Sequence, residues 1–452
     1  MAKKLLPVLQ CLIGVLIFTP VTPQALRAQE SAPPLQASQS SQTQIAPPAP
    51  AKPLPGSIYK QVMHPLDVVR SSVDNWSEAE LGALGVGIHK AHEGCTQANS
   101  QNYSGDDLYD LARLCSLGQD WKTANAAAQQ YIAGGAETHR AQAYVISMNA
   151  LVQLESVDAA SQTALEMLHK LPYDAEVAYG LRYIKDYLER DGKWIAFTLA
   201  DEEQYPLVQA LRQNTPLKAA HGDAVISLGA LYESGMQLAF FRRYAGDDDG
   251  AAETVAALDA AIATSQFIAE DQDRINTVRA QYKLLGTRLP DLNPIQSFFS
   301  ASTKPRVDPN FGVATVLVLY PDWCTQCRKM MKTLTAFAIT NGDVPIHAYG
   351  LMFSESPTDA AKLAQEQNAD LNGTATQLVP ASTAQLFAAT EYPLGIVVDK
   401  GGLIRFVGTF PLDAFNGDGY VGKIITRMSN TAATCRKGDS RPTCQKPTSN
   451  QN

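Results

Sequence analysis

Residues 313–327 decide the fold and read Val-Ala-Thr-Val-Leu-Val-Leu-Tyr (313–320) followed by Pro-Asp-Trp-Cys-Thr-Gln-Cys (321–327). The first eight residues form an uninterrupted apolar and β-branched run, which predicts a strand buried on both faces. Beyond the second cysteine, apolar residues recur at helical spacing, at positions 330, 331, 334, 337 and 338. We therefore predict a strand that leads through a Cys-x-x-Cys turn into a helix.

The two cysteines of this turn are the candidate catalytic residues. Cys324 would lie at the helix N-terminus, where free backbone N–H groups and the helix dipole favour the thiolate over the thiol. Arg328, Lys329 and Lys332 add positive charge nearby. Cys327, almost one turn on, could attack a mixed disulfide at Cys324 and release the bound partner. This arrangement predicts thiol–disulfide exchange.

Three other roles compete for the cysteine pair, and a peroxidase is a further functional alternative. A permanently closed structural disulfide remains open as an alternative. Half of a zinc site is disfavoured because the chain has no second Cys-x-x-Cys pair. Haem attachment is excluded because it requires His after the second cysteine, where this chain has Arg328. A peroxidase is weakly supported, since no cysteine outside the pair has a peroxidatic sequence context.

The strand, the Trp-Cys-x-x-Cys turn and the helix resemble the active site of the thioredoxin superfamily. Downstream, Tyr392-Pro393 precedes two apolar runs, 394–399 and 403–407, which a Gly-Gly turn separates. In thioredoxin-like proteins the matching proline is cis and faces the cysteine pair, and its predecessor offers a backbone edge to the substrate. The resemblance therefore implies that Trp323, Tyr392 and Pro393 support the site beside Cys324.

The long segment between Cys327 and Pro393 is similar to the exported TlpA/ResA-like branch, and the resemblance spans roughly 300–430. One position departs from the family pattern. Six residues before the first cysteine, where the family commonly has a buried acidic or polar residue, this chain has Val318. In the family that group helps proton transfer at the second cysteine, so its absence puts turnover efficiency in question.

The region 66–287 has the rhythm of paired helices, with Gly118-Gln119-Asp120 as a turn between two of them. The small and bulky residues around this turn resemble a tetratricopeptide repeat, and about two repeats are recognisable. The predicted fold class is thus an α-helical, tetratricopeptide-like array followed by an α/β thioredoxin-like fold over 296–431, and the Pro-, Asn- and Ser-rich residues 286–310 are expected to form the join.

The N-terminus predicts export. Residues 1–28 have the basic, apolar and small-residue segments of a signal peptide, and 29–60 have the Pro/Gln/Ser-rich composition of a disordered linker. A retained N-terminal anchor is the alternative. We predict an extracytoplasmic location, in a bacterial periplasm, with secretion as another possibility.

Export favours disulfides among the six cysteines beyond Cys11. We predict one structural disulfide between Cys95 and Cys115, because the loop after the first could fold back along the next helix. A second, between Cys435 and Cys444, would fasten the C-terminal tail, 432–452. A metal site of His89, His92 and Cys95 is disfavoured because no fourth ligand is evident.

Composition sets the remaining limits. The chain has 452 residues, 45% hydrophobic and 18% charged, with a net charge of −8, which excludes a mostly disordered or multi-span membrane protein. The acidic balance argues against a nucleic-acid partner.

We therefore predict an enzyme, an exported thiol–disulfide oxidoreductase without a cofactor or metal. Its substrates would be protein thiols and disulfides, a redox partner protein would act with it, and the helical array would recruit partners. Membrane contact is predicted only if the N-terminal segment is retained. The alternative is a non-catalytic binding scaffold whose thioredoxin fold keeps a structural disulfide.

Overall fold

Apolar residues recur at helical spacing between about residues 55 and 284, and in the computed structural model they lie on helices. The structure describes residues 53–72, 78–98, 103–190, 195–298, 314–340, 346–354, 356 and 376–409. The helices of the array are α1 Pro55–Ser72, α2 Glu78–Gln97, α3 Asp106–Leu117, α4 Trp121–Ala133, α5 Arg140–Gln153, α6 Val157–Lys170, α7 Ala175–Arg190, α8 Ile195–Arg212, α9 Leu228–Ala245, α10 Asp248–Ile262 and α11 Ala269–Leu284. The predicted helical array is confirmed, whereas the tetratricopeptide resemblance is not and stays a prediction.

Helix α1 begins earlier than the sequence predicts. The linker expected over 29–60 is wrong at its C-terminal end, because Pro55 already opens the helix. Proline suits a first helical turn, where its missing N–H has no intrahelical partner to lose. The side chains of Tyr59 and Val62 are buried in a core that includes Leu84 of α2.

The predicted signal peptide 1–28, the rest of the linker up to residue 52, and the tail with Cys435 and Cys444 lie outside the described residues. Among the helices that are described, none is long and apolar enough to cross a membrane. Likewise, His89, His92 and Cys95 do not form a metal-binding group in the described part of the chain.

The predicted turn at Gly118-Gln119-Asp120 joins α3 to α4. Gln119 adopts a left-handed conformation with φ 61°, and the Asp120 carboxylate caps α4 by accepting from the Thr123 backbone N–H at 3.2 Å. Gly118 lies against the backbone of α2, where an added Cβ would lie 2.5 Å from the backbone nitrogen of His92. Close approach to α2 therefore requires glycine here.

A disulfide joins Cys95 of α2 to Cys115 of α3, and both residues are buried. Cys95 lies within the last turn of α2, which continues to Gln97. The bond thus links two packed helices near the start of the array.

The described chain forms two compact units. One contains the residues up to Ile184 together with Lys218–Val225, and the other contains Lys185–Leu217 and the residues from Ile226 onward. The predicted domain limits, 66–287 and 296–431, stay predictions.

A buried carboxylate lies in the first turn of α7, in the first unit. Glu176 is 7% exposed and accepts a hydrogen bond from the Gln142 side-chain amide. Burial, and then repulsion from Asp174, raise the pKa of Glu176 from 4.5 to about 7. Asp174 itself accepts from the backbone N–H groups of Glu176 and Val177, which caps the helix.

We predict that Glu176 makes the protein less stable as the pH rises from about 4.5 to about 7. Between these values the folded protein holds a proton that the unfolded chain has lost, so the free energy of unfolding falls with rising pH. Glu176→Gln should remove this dependence and stabilise the protein at pH 8 by about 1–3 kcal/mol. Urea unfolding of parent and variant at pH 5 and pH 8 measures the effect.

Glu166→Gln is the matched control for this prediction. A hydrogen bond from Lys170 lowers the pKa of Glu166, so loss of this carboxylate should slightly lower the free energy of unfolding at pH 8. Parallel pH profiles for the parent and Glu176→Gln would contradict the prediction.

A two-stranded hairpin, β1 Leu217–Lys218 and β2 Val225–Ile226, precedes α9. The strands and helices after α11 are β3 Gln296–Phe298, β4 Ala314–Pro321, α12 Thr325–Thr340, β5 Ile346–Phe353, β6 Thr376–Val379, α13 Ser382–Leu386, β7 Leu394–Val398 and β8 Ile404–Thr409. Strands β3 to β8 form one six-stranded sheet in the second unit, with strand order β3-β6-β5-β4-β7-β8. Strands β4, β5 and β6 are parallel, and β3, β7 and β8 pair antiparallel to their neighbours.

The segment after α11 belongs to the sheet and is more than a join. The Gly286 backbone N–H donates to the Ile404 carbonyl at 2.8 Å, and the Ile404 N–H donates to Thr287 at 2.8 Å. This segment therefore extends the sheet beside β8, and β3 then pairs with β6 at the other end. Sequence reasoning missed this pairing because it depends on partners about 80–120 residues away.

Helices α9 and α11 cover one face of the sheet. Phe240, Tyr244 and Tyr282 pack against an apolar cluster that includes Leu317 and Leu319 of β4. The last helices of the array and the α/β part thus share one core.

A buried ion pair links α7, α8 and α9 in the same unit. The Lys185 ammonium lies 2.5 Å from the Glu203 carboxylate and 3.3 Å from the Ser234 hydroxyl. The side chains of Lys185 and Glu203 are 0% and 1% exposed. The Lys185 ammonium therefore depends on this carboxylate for compensation.

Candidate active site

Strand β4 ends at the site and sends its side chains to both faces of the sheet. Val316, Val318 and Tyr320 pack with residues of α12, whereas Leu317 and Leu319 face the cluster beneath α9 and α11. All eight residues of β4 are buried, as the apolar run predicts.

The cysteine pair lies where β4 passes into α12. Cys324 immediately precedes the helix and is partly exposed, whereas Cys327 is fully buried. A disulfide joins them, and the Cys327 backbone N–H donates to the Cys324 sulfur at 3.2 Å. A sulfur that faces free N–H groups at a helix N-terminus is stabilised as the thiolate.

This geometry separates the roles of the two sulfur atoms. An incoming disulfide can reach Cys324, and Cys327 is shielded until a mixed disulfide has formed. Attack by Cys327 would then close the pair again and release the partner thiol. The arrangement can therefore carry out thiol–disulfide exchange.

Arg328 ties down the turn in front of the helix. Its guanidinium donates to the Asp322 carbonyl and to the Thr325 hydroxyl at 3.1 Å. The Asp322 N–H in turn donates to the Phe353 carbonyl of β5 at 2.9 Å. The turn is thus held to the sheet, with a positive charge one helical turn from Cys324.

The three residues expected to support the site lie at the same edge of the sheet. Trp323 is 70% exposed, directly before Cys324. The Tyr392–Pro393 peptide bond is cis, and β7 begins at the next residue, Leu394, which pairs with Leu319 of β4. Continuing this antiparallel register places Pro393 opposite the end of β4, three to four residues before Cys324.

Tyr392 is oriented by its neighbours. Its ring lies 5.4 Å from the ring of Phe353, and its hydroxyl donates to the Ala389 carbonyl at 3.5 Å. The side chain is thereby packed against the strand that holds the active-site turn.

The position expected to carry an acidic residue lacks any polar group. Val318 is fully buried between Gly350 of β5 and Gly395 of β7. Sequence reasoning missed the polar group that the structure does show on this face, the Tyr320 hydroxyl. A lone tyrosine at the end of an otherwise apolar strand was the available signal.

The Tyr320 hydroxyl is buried, and no partner with hydrogen-bonding geometry lies near it among the residues described. Burial raises the pKa of Tyr320 to about 12, and the Thr376 side chain and the Arg328 charge only partly oppose this shift. The phenol is therefore neutral throughout the physiological pH range.

Comparison with known proteins finds similarity only among solved structures. No protein-family model matches the sequence, and no curated protein matches it significantly. The thioredoxin domain of a thiol-disulfide oxidoreductase from Bacteroides vulgatus is 18% identical, with 31% of this chain and 97% of that chain covered and a TM-score of 0.24. A thiol:disulfide interchange protein from Bacteroides sp. is 17% identical, with 31% and 90% covered and a TM-score of 0.24.

The topology itself gives the α/β part a thioredoxin-like fold. The parallel pair β4–β5 and the antiparallel hairpin β7–β8 are adjacent in one sheet. The cysteine pair precedes and opens α12, and a proline comes directly before β7. The predicted fold class, a helical array followed by a thioredoxin-like α/β fold, is confirmed.

Proposed function

We propose that this protein is an exported thiol–disulfide oxidoreductase that exchanges disulfides with protein substrates through Cys324 and Cys327. One observation carries the proposal: the bonded pair lies at the start of α12, with Cys324 partly exposed and Cys327 buried. Nucleophilic cysteines are typically accessible and lie at helix N-termini, where the thiolate is stabilised.

The reaction moves two electrons. In the reducing direction, the Cys324 thiolate attacks a client disulfide, bonds to one client sulfur and expels the other as a thiolate. The Cys327 thiolate then attacks the Cys324 sulfur, restores the 324–327 disulfide and expels the second client thiol. A redox partner protein must reduce the pair again. The oxidising direction is the same sequence reversed.

The helical array would recruit or orient the protein partner. Stacked antiparallel helices offer an extended surface of the kind that binds polypeptides. The basic, apolar N-terminal segment and the even number of cysteines beyond it support export, and we propose a periplasmic location.

A binding scaffold is the second candidate function, and Val318 favours it. The resemblance implies a buried acidic or polar group at position 318 that assists the second cysteine, and the described residues clustered around Val318 include no acidic side chain. In a scaffold, the 324–327 disulfide would stay closed and the array would supply the function.

Trapping tests the proposed function. Cys327→Ser should form covalent adducts with client proteins in cell envelopes, because Cys324 can still attack but nothing resolves the mixed disulfide. Dithiothreitol should release these adducts on gels. The double variant Cys324→Ser/Cys327→Ser is the matched control and should trap nothing. Equal adduct formation by both variants would overturn the assignment of Cys324 as the nucleophile.

A further inference from the structure

Tyr320 and Cys327 lie on the same face of the sheet. Strand β4 alternates, so Val316, Val318 and Tyr320 share the face that packs beneath α12. Tyr320 and Cys327 belong to this one buried cluster, and each is 0% exposed. Tyr320 and the cysteine that must act second therefore belong to one buried cluster.

Among the described residues, few polar groups lie close enough to the Tyr320 hydroxyl to bind it in place of the Cys327 sulfur. Gly350, the β5 neighbour of Val318, has no side chain, and a Cβ there would meet the Thr376 hydroxyl at 2.8 Å and the Met331 methyl at 3.2 Å. The side chains of Thr376 and Met331, one polar and one apolar, thus close over Gly350. Thr376 is the nearby polar side chain and partly offsets the rise in the pKa of Tyr320, yet its contact with the phenol lacks normal hydrogen-bond geometry, and no other residue that the structure describes makes a hydrogen bond to the phenol.

A buried hydroxyl without a partner costs free energy, so the fold would gain from replacing it unless another state uses it. In the oxidised protein the Cys327 sulfur is bonded and uncharged. When the disulfide is reduced, the same sulfur becomes a thiol, and the thiolate that it forms before it attacks is a much stronger hydrogen-bond acceptor. Reduction therefore creates an acceptor within the cluster that already encloses the donor.

We propose that the Tyr320 hydroxyl donates a hydrogen bond to the Cys327 thiolate in the reduced protein and thereby assists the resolving step. This inference rests on the proposed function, since it concerns the second step of exchange. The phenol keeps its proton throughout. Cys327 forms its bond to the Cys324 sulfur, the client thiolate leaves, and the proton released when Cys327 ionises goes to solvent.

Among the residues that the structure describes, few charged or titratable groups face this cluster from the elements packed against it. Arg328 of α12 lies near the phenol, and Tyr244 of α9 packs at the edge of the cluster. His347 of β5 pairs with Thr315 and so belongs to the opposite face. The pH dependence of the resolving step should therefore report mainly on Cys327 itself.

Tyr320→Phe tests the proposal, because it removes only the oxygen. Reduced full-length protein is mixed with 5,5′-dithiobis(2-nitrobenzoate) in a stopped-flow instrument. The first coloured thiolate is released when Cys324 attacks and the second when Cys327 resolves. The first phase should match the parent. At pH 7 the second phase should be about three- to tenfold slower, because a hydrogen bond to a charged group is lost.

The full pH profile separates this role from a structural one. A thiol whose thiolate lacks this hydrogen bond ionises at higher pH, but the thiolate is more nucleophilic once it has formed. The second phase of Tyr320→Phe should therefore equal or exceed that of the parent by pH 10. Tyr320→Phe should also unfold at no lower temperature than the parent, because a buried unpartnered hydroxyl is removed.

Tyr349→Phe, on the opposite face of the sheet, is the matched control and should leave both phases unchanged. Second-phase profiles of Tyr320→Phe and the parent that coincide from pH 5 to 10 would overturn the role of Tyr320 and leave the proposed function intact. A parent without a second phase would instead contradict the proposed function.

Discussion

Cys324→Ser should lose exchange activity towards a model disulfide substrate at least about a thousandfold, because it removes the nucleophile. A serine hydroxyl at this position cannot form or exchange disulfides, whatever the helix N-terminus does for its charge. Reduction of a disulfide-linked protein by the variant, followed through the released thiols, measures the loss. Wild-type turnover in Cys324→Ser would refute the assignment.

The control for this experiment uses the other disulfide. Cys95→Ala/Cys115→Ala removes two buried cysteines of the first unit and should retain exchange activity at temperatures where it stays folded. If both variants lost activity equally, the loss would reflect disruption of the fold and not the absence of the Cys324 sulfur.

Glu203→Gln should lower the free energy of unfolding by about 3–5 kcal/mol, because it leaves the Lys185 ammonium buried without an opposite charge. The pair is enclosed, with side-chain exposures of 0% and 1%, so water cannot replace the carboxylate. The Ser234 hydroxyl, 3.3 Å from the ammonium, is neutral and compensates only in part. Urea unfolding followed by far-UV circular dichroism measures the change.

The double variant Lys185→Met/Glu203→Leu separates lost pairing from lost packing. Apolar side chains of similar volume remove both charges together, and such replacements of buried pairs are often neutral or stabilising. We expect the double variant to recover most of the loss. A Glu203→Gln variant within about 1 kcal/mol of the parent would contradict the isolation of this pair from solvent.

The sequence alone predicted the elements whose signals are local. The apolar run 313–320 specified β4 because a strand buried on both faces needs no alternation. The hairpin β7–β8 followed from two apolar runs around Gly401-Gly402, and Gly402 indeed adopts φ 80°. The two disulfides, 95–115 and 324–327, and the cis Tyr392–Pro393 bond occur at the residues named from sequence, while their roles stay predictions.

Features that depend on distant partners were not predictable. The pairing of 286–289 with β8 requires knowing which edge of the sheet is free, and no residue type encodes this. Lys185 and Glu203 lie 18 residues apart on separate helices, and both read as ordinary surface charges. The tyrosine at 320 reads as one more apolar strand residue until its hydroxyl is found without a partner.

The reduction potential of the 324–327 pair tests the central claim most directly. Equilibration of the full-length protein with glutathione or dithiothreitol buffers, with the free Cys324 thiol detected by alkylation, gives this value. An exchange-active pair should have a potential above about −300 mV, in the range where partner proteins reduce and reoxidise it. A potential below about −300 mV, typical of inert structural disulfides, would contradict the enzyme and favour the binding scaffold.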